Sequence, residues 1–383
     1  MREVRNRGRL WRGMFAVLLA FSLVAVACGD DDDDTGGNGG TDGDPYGARG
    51  SAADAFDTYN GMSGQARTDA LIAAAQEEGS LIFYTASSGM EPVIEAFEDA
   101  YDINVELFRG NADTVLLRIT QEFEAKFYGV DVFDDAEAFT VARLGMTYEY
   151  VNLELTDAIP GYDPSTHVAA TRLSVYTQAW NADLVDESEV PDDIAGFADP
   201  AWCGRLSMDP RDWVWYIGVR DYYLDQGWSE EEIDDMYRTL AECSRFDRGH
   251  TTQAQLLLAG EFDASLTVYT QSVDRELVDD AEAPIAWRKA DGSWVKPLVF
   301  FPQGATLMKN APHPAAAMLF IDFLLTEGQR ILALEDKTPT AIAQAGGPLE
   351  GIPNADLYQV DFDKFYDRDT WATRFDELLA GGG

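Results

Sequence analysis

The chain has 383 residues, of which 46% are hydrophobic, so its length predicts two to three domains and its composition excludes wholesale disorder. Its 68 acidic residues against 28 basic residues give a formal charge of -40, which excludes nucleic acid and anionic lipid as favoured partners because their phosphates would be repelled. Three cysteines and three histidines also disfavour a structural zinc site, which needs four such ligands at close spacing.

The first 28 residues have the pattern of an export signal. Five arginines among the first 12 residues precede an apolar stretch, Met14 to Ala27, that is too short to span a bilayer. Small residues before Ala27 fit ordinary cleavage, but Cys28 makes the ending resemble that of bacterial lipoprotein signals, in which this cysteine is lipidated. We therefore predict a signal peptide at 1–28 and an exported cell-envelope lipoprotein anchored through Cys28, on the outer face of the cytoplasmic membrane or in the periplasm. Plain secretion is the alternative.

Residues 29–65 are predicted to form a flexible tether. They contain the acidic run Asp30 to Asp34 and many glycines but few apolar side chains, so they cannot bury enough surface to fold. A solvated spacer accounts for the acidic run better than a weak calcium site does.

From residue 68 onward, apolar periodicity predicts alternating helices and strands. A helix runs from Thr68 to a stop at Gly79 and is followed by a strand at 81–84. Helices at about 92–101 and 115–123 then alternate with strands at 105–108 and 131–133. This order predicts a parallel sheet with helices on both faces.

A second α/β unit is predicted downstream. A strand at 205–208 is followed by helices that begin at Trp213 and after Ser229, where Glu232 completes a capping box. A helix at 252–258, a strand at 264–269, returning strands at 298–301 and 305–308, and an apolar helix at 315–325 follow.

Five segments, in one order along the chain, carry a family resemblance. They are 79–84 with 95–97, 130–133, 197–206, 257–264 and, most specifically, the block that begins Lys309-Asn310-Ala311-Pro312-His313-Pro314 and ends at Gln329. Together they resemble the extracellular solute-binding proteins of bacterial ABC importers, in particular the ferric-iron-type branch that also includes thiamine, polyamine and phosphonate binders. The resemblance extends over about 68–332.

The resemblance implies an α/β fold of the two-lobed periplasmic-binding-protein kind, type II-like, in which each lobe is a mainly parallel sheet flanked by helices. We place lobe 1 at 66–172 and 272–335, lobe 2 at 173–271, and a C-terminal segment that packs on the lobes at 336–383. Hinge strands are expected near 173–179 and 269–273. The expected partners are a small-molecule or ion ligand and a membrane ABC permease. We expect a monomer, and no cofactor other than the bound solute, which includes the case of a metal ion.

The ligand is expected beyond the carboxyl ends of the strands, where helix N-termini offer free N–H groups. Several candidates have an alternative role. Ser87, Ser88 and Thr251 could instead cap helices, and Trp213 could instead pack in the core. Arg211 could instead form ion pairs with Asp209 and Asp212. The candidate contacts at these positions are Ser87, Ser88, Gly89, Asp134, Asp135, Arg211, Asp212, Trp213, Thr251, Thr252 and Tyr269.

Tyr269 lies where iron-binding members of the family carry two adjacent tyrosines, but Thr270 follows it here. The family's metal-binding histidine after the first strand has no counterpart in 85–90. We therefore predict Tyr269 as a ligand contact and as a candidate metal ligand, and the solute as ferric iron or a small anionic or organic molecule.

Cys203 and Cys243 remain once Cys28 is lipidated, and an isolated pair in an exported protein predicts a disulfide, with two buried reduced thiols as the alternative.

The leading functional hypothesis is a binding protein for import that has no catalytic activity. The alternatives are an exported hydrolytic or metal-dependent enzyme and a ligand-sensing module for a membrane receptor. The enzyme hypothesis is disfavoured because the sequence has no G-x-S-x-G, H-E-x-x-H or G-x-x-x-x-G-K-[ST] motif.

Overall fold

A computed structural model describes residues 50–156, 167–342, 344–353 and 356–380. The predicted signal peptide, Cys28 and residues 29–49 of the predicted tether lie outside these ranges. The helices are α1 (Gly50–Asn60), α2 (Gly64–Glu78), α3 (Glu91–Tyr101), α4 (Ala112–Glu124), α5 (Ala138–Arg143), α6 (Leu153–Thr156), α7 (Trp213–Asp225), α8 (Glu230–Cys243), α9 (His250–Leu258), α10 (Thr270–Asp279), α11 (Pro314–Leu324), α12 (Glu327–Leu334), α13 (Phe362–Tyr366) and α14 (Arg368–Leu379). Within the described ranges no helix has the length and apolar character needed to cross a membrane.

The strands form one mixed sheet. They are β1 (Ser80–Thr85), β2 (Asn104–Arg109), β3 (Val132–Asp135), β4 (Thr147–Tyr148), β5 (Ala169–Asn181), β6 (Leu206–Met208), β7 (Ser244–Phe246), β8 (Ala264–Tyr269), β9 (Ile285–Ala286), β10 (Leu298–Met308) and β11 (Leu357–Gln359). The main order is β2-β1-β3-β10-β5-β8-β6-β7, with β4 and β11 also paired to β10 and β9 paired to β5. The three strands β2, β1 and β3 are parallel, as are β8, β6 and β7. Between these groups β10 and β5 run antiparallel to each other and to their outer neighbours, so the predicted α/β architecture is confirmed.

The first half of the sheet, formed by β2, β1 and β3, has its core between β1 and the helices α3 and α11. Phe320 packs against Phe83 and Phe97, with ring centroids 4.9 and 5.0 Å apart in edge-to-face arrangements. All three rings are fully buried, which is why the apolar positions of these elements recur at helix and strand spacing.

The second half of the sheet, formed by β8, β6 and β7, has its core around α7 and α8. The C-terminal helices cover this core. Tyr216 stacks on Phe375 of α14 at 5.5 Å, and its hydroxyl accepts a hydrogen bond from Nε of Arg374 at 2.7 Å. Ser229 and Glu232 form the predicted capping box at the start of α8. The C-terminal segment therefore packs on the second half of the sheet.

Helix α1 corrects the predicted extent of the flexible tether. Phe56 is fully buried and lies 5.0 Å from the ring of Tyr148, while Asp57 accepts a hydrogen bond from the Tyr148 hydroxyl at 2.8 Å. Ala52 and Phe56 are four residues apart and thus lie on one face of the helix. The prediction of flexible chain up to residue 65 is wrong for 50–60, because two well-spaced apolar residues anchor a segment of mostly polar composition.

The packing of the chain after β8 does not follow the predicted return to lobe 1 at residue 272. Val273 of α10 and Ile285 of β9 belong to the same apolar cluster as Leu257 of α9 and Val268 of β8. The segment after β8 therefore packs with the elements predicted for lobe 2. The sequence predicted the second hinge strand near residues 269–273. In the structure, the second strand that crosses between the halves of the sheet is β10.

Cys203 and Cys243 form the predicted disulfide, with Cα atoms 4.3 Å apart. It joins the loop before β6 to the end of α8.

Candidate functional site

A cavity of about 210 Å³ lies at the carboxyl ends of strands from both halves of the sheet. Serine residues that follow β1 and the last residue of β3 face it from one half, and the end of β8 with the starts of α9 and α10 faces it from the other. The lining residues are Ala86, Ser87, Ser88, Asp135, Arg172, His250, Thr251, Tyr269, Gln271, Ser272, Arg275, Gln303 and Thr338.

The serine turn after β1 lines the cavity with Ser87 and Ser88. Met90, not a serine, occupies the N-cap position of α3 and makes no side-chain cap, so the capping alternative is not observed. Ser87 accepts a hydrogen bond from Nη2 of Arg172, and Ser88 accepts one from Nη1 of Arg275 at 3.2 Å. Gly89 does not line the cavity. It has φ +84 and lies so close to Asp336 that a Cβ would come within 2.2 Å of its Oδ1.

Arg172 of β5 organises one wall of the cavity, and sequence reasoning missed it. Its side chain is 5% exposed and forms a buried ion pair with Asp134, which is fully buried. Its Nε donates to Oε1 of Gln303 at 2.7 Å, and Thr171 donates its hydroxyl to Oδ1 of Asp134 at 3.1 Å. The predicted ligand contact Asp134 is therefore the buried counter-ion of Arg172 and does not line the cavity.

Gln303 reaches this wall at an irregularity in β10. The β5–β10 register shifts between Gln303 and Gly304, and a Cβ at Gly304 would meet the Ala169 carbonyl oxygen at 2.6 Å. The side chain of Gln303 also donates from Nε2 to the Ser174 hydroxyl at 2.6 Å. The close backbone approach of the two crossing strands thus holds the amide in place.

Arg275 of α10, also missed from the sequence, connects the two sides of the cavity. Its Nη2 lies 2.5 Å from Oδ2 of Asp336, and its Nε donates to the backbone oxygen of Asp336 at 3.1 Å. With its contact to Ser88, the guanidinium links α10 to the serine turn and to the loop after α12.

Asp135, at the end of β3, is the predicted carboxylate that does line the cavity. It is 4% exposed, and its Oδ1 accepts the backbone N–H of Glu137 at 3.2 Å. Burial raises the pKa of Asp135 to about 7, an effect that the positive charge of Arg172 partly offsets.

Tyr269 and His250 form an aromatic wall. Their ring centroids are 3.8 Å apart, and the Tyr269 hydroxyl donates to that of Tyr176 at 3.3 Å. His250 Nδ1 lies 3.0 Å from the Thr267 carbonyl oxygen, which assigns the proton of the neutral ring to Nδ1. Burial lowers the pKa of His250 to about 4 and raises that of Tyr269, so both groups are neutral at pH 7.

Behind this wall, Arg211 pairs with Asp209. Arg211 binds Asp209 through Nε and Nη2 at 3.0 and 2.7 Å, while Gly249 N–H also donates to Asp209 at 2.6 Å. This is the ion-pair alternative, and Arg211 does not line the cavity. Asp212 is buried, and its Oδ1 lies 3.5 Å from Nε2 of His250. Burial and the charge of Asp209 raise the pKa of Asp212 well above its ordinary value.

The remaining candidate contacts lie on α7 and α9, and one of the three lines the cavity. Trp213 stacks on Phe365 at 5.6 Å and is 9% exposed, which matches its core-packing alternative. Thr251 lines the cavity and Thr252 does not. Neither threonine caps α9, since Gly249 with φ +94 occupies the N-cap position.

Asp209, Asp212 and His250 are the group of potential metal ligands found among the described residues, with one ligand atom from each lying within 4.8 Å of the others. Asp209 is already saturated by Arg211 and Gly249, which makes it a poor additional ligand. The phenols of Tyr176 and Tyr269 lie beside His250 and supply the oxygen donors that a ferric ion prefers.

No family model and no curated protein matches the chain. Among solved structures, iron-bound HitA from Pseudomonas aeruginosa is similar with a TM-score of 0.65 at 18% identity, over 78% of this chain and 99% of HitA. The periplasmic binding protein AfuA from Actinobacillus pleuropneumoniae, with exogenous fructose-6-phosphate bound, gives 0.64 at 18% identity over 79% and 99%. The binding protein MotA from A. tumefaciens B6, in complex with glucopine, gives 0.61 at 17% identity over 78% and 99%. The described chain therefore has the two-lobed α/β fold of the periplasmic binding proteins.

Proposed function

We propose that this protein is an extracytoplasmic solute-binding protein that captures a small solute between its two lobes and delivers it to an ABC permease. The observation that carries the proposal is the polar cavity at the carboxyl ends of strands from both halves of the sheet. Ser88 and Asp135 face it from one half, and Thr251 and Tyr269 from the other. A solute bound there touches both halves at once.

The contacts of Arg275 support closure as the working motion. The guanidinium joins α10 to Ser88 and Asp336 across the cavity. A ligand can shift an equilibrium between open and closed forms only by contacting them differently. A solute beside Arg275 would do so, because it would contact groups from both sides of the cavity at once.

The lining of the cavity, and not the similar structures, indicates the class of solute. Those structures hold iron, fructose-6-phosphate and glucopine on one fold, which is why the fold alone does not select a ligand. The lining is mostly hydroxyl, amide and charged groups, which suits a small polar organic solute. Ferric iron is the second candidate, favoured by the Tyr176–Tyr269–His250 cluster.

Lipid attachment at Cys28 is part of the proposal and rests on the sequence pattern at the amino end. The tether that follows would then hold the folded part near the permease. Mass spectrometry of the mature amino terminus tests this; an unmodified cysteine or a start elsewhere contradicts it.

The experiment for the main proposal begins with the solute that copurifies. Native mass spectrometry of the full chain, followed by denaturation, identifies it, and small-angle scattering measures compaction when it is added back. We expect an unchanged solute and a smaller radius of gyration with ligand. Chemical conversion of the solute by the protein would favour the enzyme alternative instead.

A transport assay separates import from sensing. Cells that lack this protein should lose uptake of the labelled solute and regain it with the wild type. Uptake that persists without the protein, together with a lost transcriptional response to the solute, would favour the sensory alternative.

A further inference from the structure

The arginines around the cavity are already neutralised by carboxylates. Each guanidinium is held by an acidic partner at close range, so these groups leave no net positive charge with which to attract an anion. The pairs are Arg172–Asp134, Arg275–Asp336 and, behind the aromatic wall, Arg211–Asp209.

Asp135 differs from these carboxylates because it forms no ion pair with a described residue. One oxygen accepts the N–H of Glu137, and no residue in the described part of the chain donates a hydrogen bond to the other oxygen or forms an ion pair with this carboxylate. The side chain nevertheless lines the cavity while being 4% exposed. A buried carboxylate without a partner is costly, so this position is suited to a positive charge that arrives with the ligand.

An aromatic ring shares the cavity with this carboxylate. Tyr269 lines the same cavity, and the charge of Asp135 influences the pKa of Tyr269. A carboxylate together with an aromatic side chain is a typical environment for an ammonium group, which pairs with the former and is attracted to the face of the latter.

We propose that the solute carries an ammonium group and that Asp135 is the residue that binds it. This rests on the proposed solute-binding function and names the chemical class of the solute. The hydroxyls of Ser87, Ser88 and Thr251 then bind its remaining polar groups.

The test compares amines with their hydroxyl counterparts on the full chain in detergent. The pairs are ethanolamine and ethylene glycol, glycine and glycolate, glucosamine and glucose, and putrescine and butanediol. Titration calorimetry and thermal shift should detect at least one amine whose hydroxyl counterpart binds at least about tenfold more weakly. Ferric citrate is included as the metal probe.

The variant Asp135→Asn should weaken binding of that amine by about tenfold to a hundredfold. Asparagine keeps an acceptor for the Glu137 N–H, so the fold should persist, as the thermal unfolding midpoint would verify. The matched control is Asp291→Asn, which removes the same charge from an exposed turn where the carboxylate accepts the Ser293 N–H. The control should bind the amine like the wild type.

Proton release gives a readout that a structural role for Asp135 would not produce. Because burial raises its pKa to about 7, the empty site is partly protonated at pH 7, and an incoming ammonium group should expel that proton. Calorimetry in buffers of different ionisation enthalpy should measure this release, and Asp135→Asn should abolish it. The other charges that act on Asp135 are Arg172, Asp134 and Glu137, and the pKa of His250 in the same cavity is about 4, below the range tested.

Three results would overturn the inference: hydroxyl compounds binding as tightly as the amines, unchanged amine affinity in Asp135→Asn, or binding of ferric citrate alone. In each of these the solute-binding function itself stands. If no probe binds and no solute copurifies, both the inference and the proposed function fail.

Discussion

Replacing Arg172 by methionine should lower the free energy of unfolding by about 3–5 kcal/mol, the range found when one partner of a buried ion pair is removed. Asp134 is fully buried and Arg172 nearly so, which leaves the carboxylate without a counter-ion and out of reach of water in the variant. Gln303 and Ser87 also lose a hydrogen-bond donor. The change lies on a strand that crosses between the lobes, so we expect solute affinity to fall as well.

Chemical denaturation followed by tryptophan fluorescence measures this cost. Arg330→Met is the matched control, because Arg330 pairs with Glu327 while both side chains are 46% exposed. Exposed pairs contribute about 0–1 kcal/mol, and the control should stay within that range. The double variant Arg172→Met with Asp134→Asn should recover much of the loss, since it removes the uncompensated charge.

Two outcomes would refute the reasoning. A loss below about 1 kcal/mol for Arg172→Met would mean that Asp134 is solvated or protonated at little cost. A double variant that is no more stable than the single one would mean that the ion pair itself is not the source of the effect.

Three further predictions concern separate parts of the molecule. Asp135→Asn should stabilise the empty protein at pH 8 by up to about 4 kcal/mol but hardly at pH 4, because the folded pKa of about 7 lies above the unfolded value. The contribution of the neutral Asp135 carboxyl to stability is present at low pH and is lost as the pH rises toward 7; thermal unfolding of both proteins at both pH values checks this. Replacing Cys203 and Cys243 by serine should lower the free energy of unfolding in urea by about 4 kcal/mol, because the disulfide joins residues 40 positions apart in sequence. Solute affinity should be unchanged because the disulfide lies away from the cavity, and a changed affinity would contradict that placement. Phe56→Ala should cost about 3–5 kcal/mol, and a loss below about 1 kcal/mol would indicate that α1 does not pack on the domain.

The order of helices and strands was predictable because it depends on local patterns. Buried strands such as β1 and β3 are short apolar runs, and the amphipathic helices between them repeat at helix spacing. Helix α1 was missed because its packed face is short, with Ala52 and Phe56 buried and Tyr59 partly buried, and polar residues and glycines lie around them. The crossing role of β10 depends on its pairing with β3 and β5, which local sequence does not encode.

The site was predictable where it depends on strand ends and was missed where it depends on distant pairing. Ser87 and Ser88 follow β1, Asp135 is the last residue of β3, and a position at the end of a strand brings them to the cavity. Arg172 lies inside a strand, and its partner Asp134 is 38 residues away, while Arg275 and Asp336 are 61 residues apart. For Arg211 the sequence leaves two roles open, pairing with the neighbouring aspartates or contacting a ligand, and the structure shows the pair with Asp209.

The position of β10 in the sheet constrains how this chain can be completed during synthesis. β10 occupies residues 298–308 yet lies between β3 and β5, both of which precede it by more than a hundred residues. Until it arrives, the inner edges of both strands have unpaired backbone groups, which are sites for mispairing with other chains. Neither lobe can therefore reach its final form before most of the chain has been made, and a product that stops short of residue 298 would retain two open sheet edges.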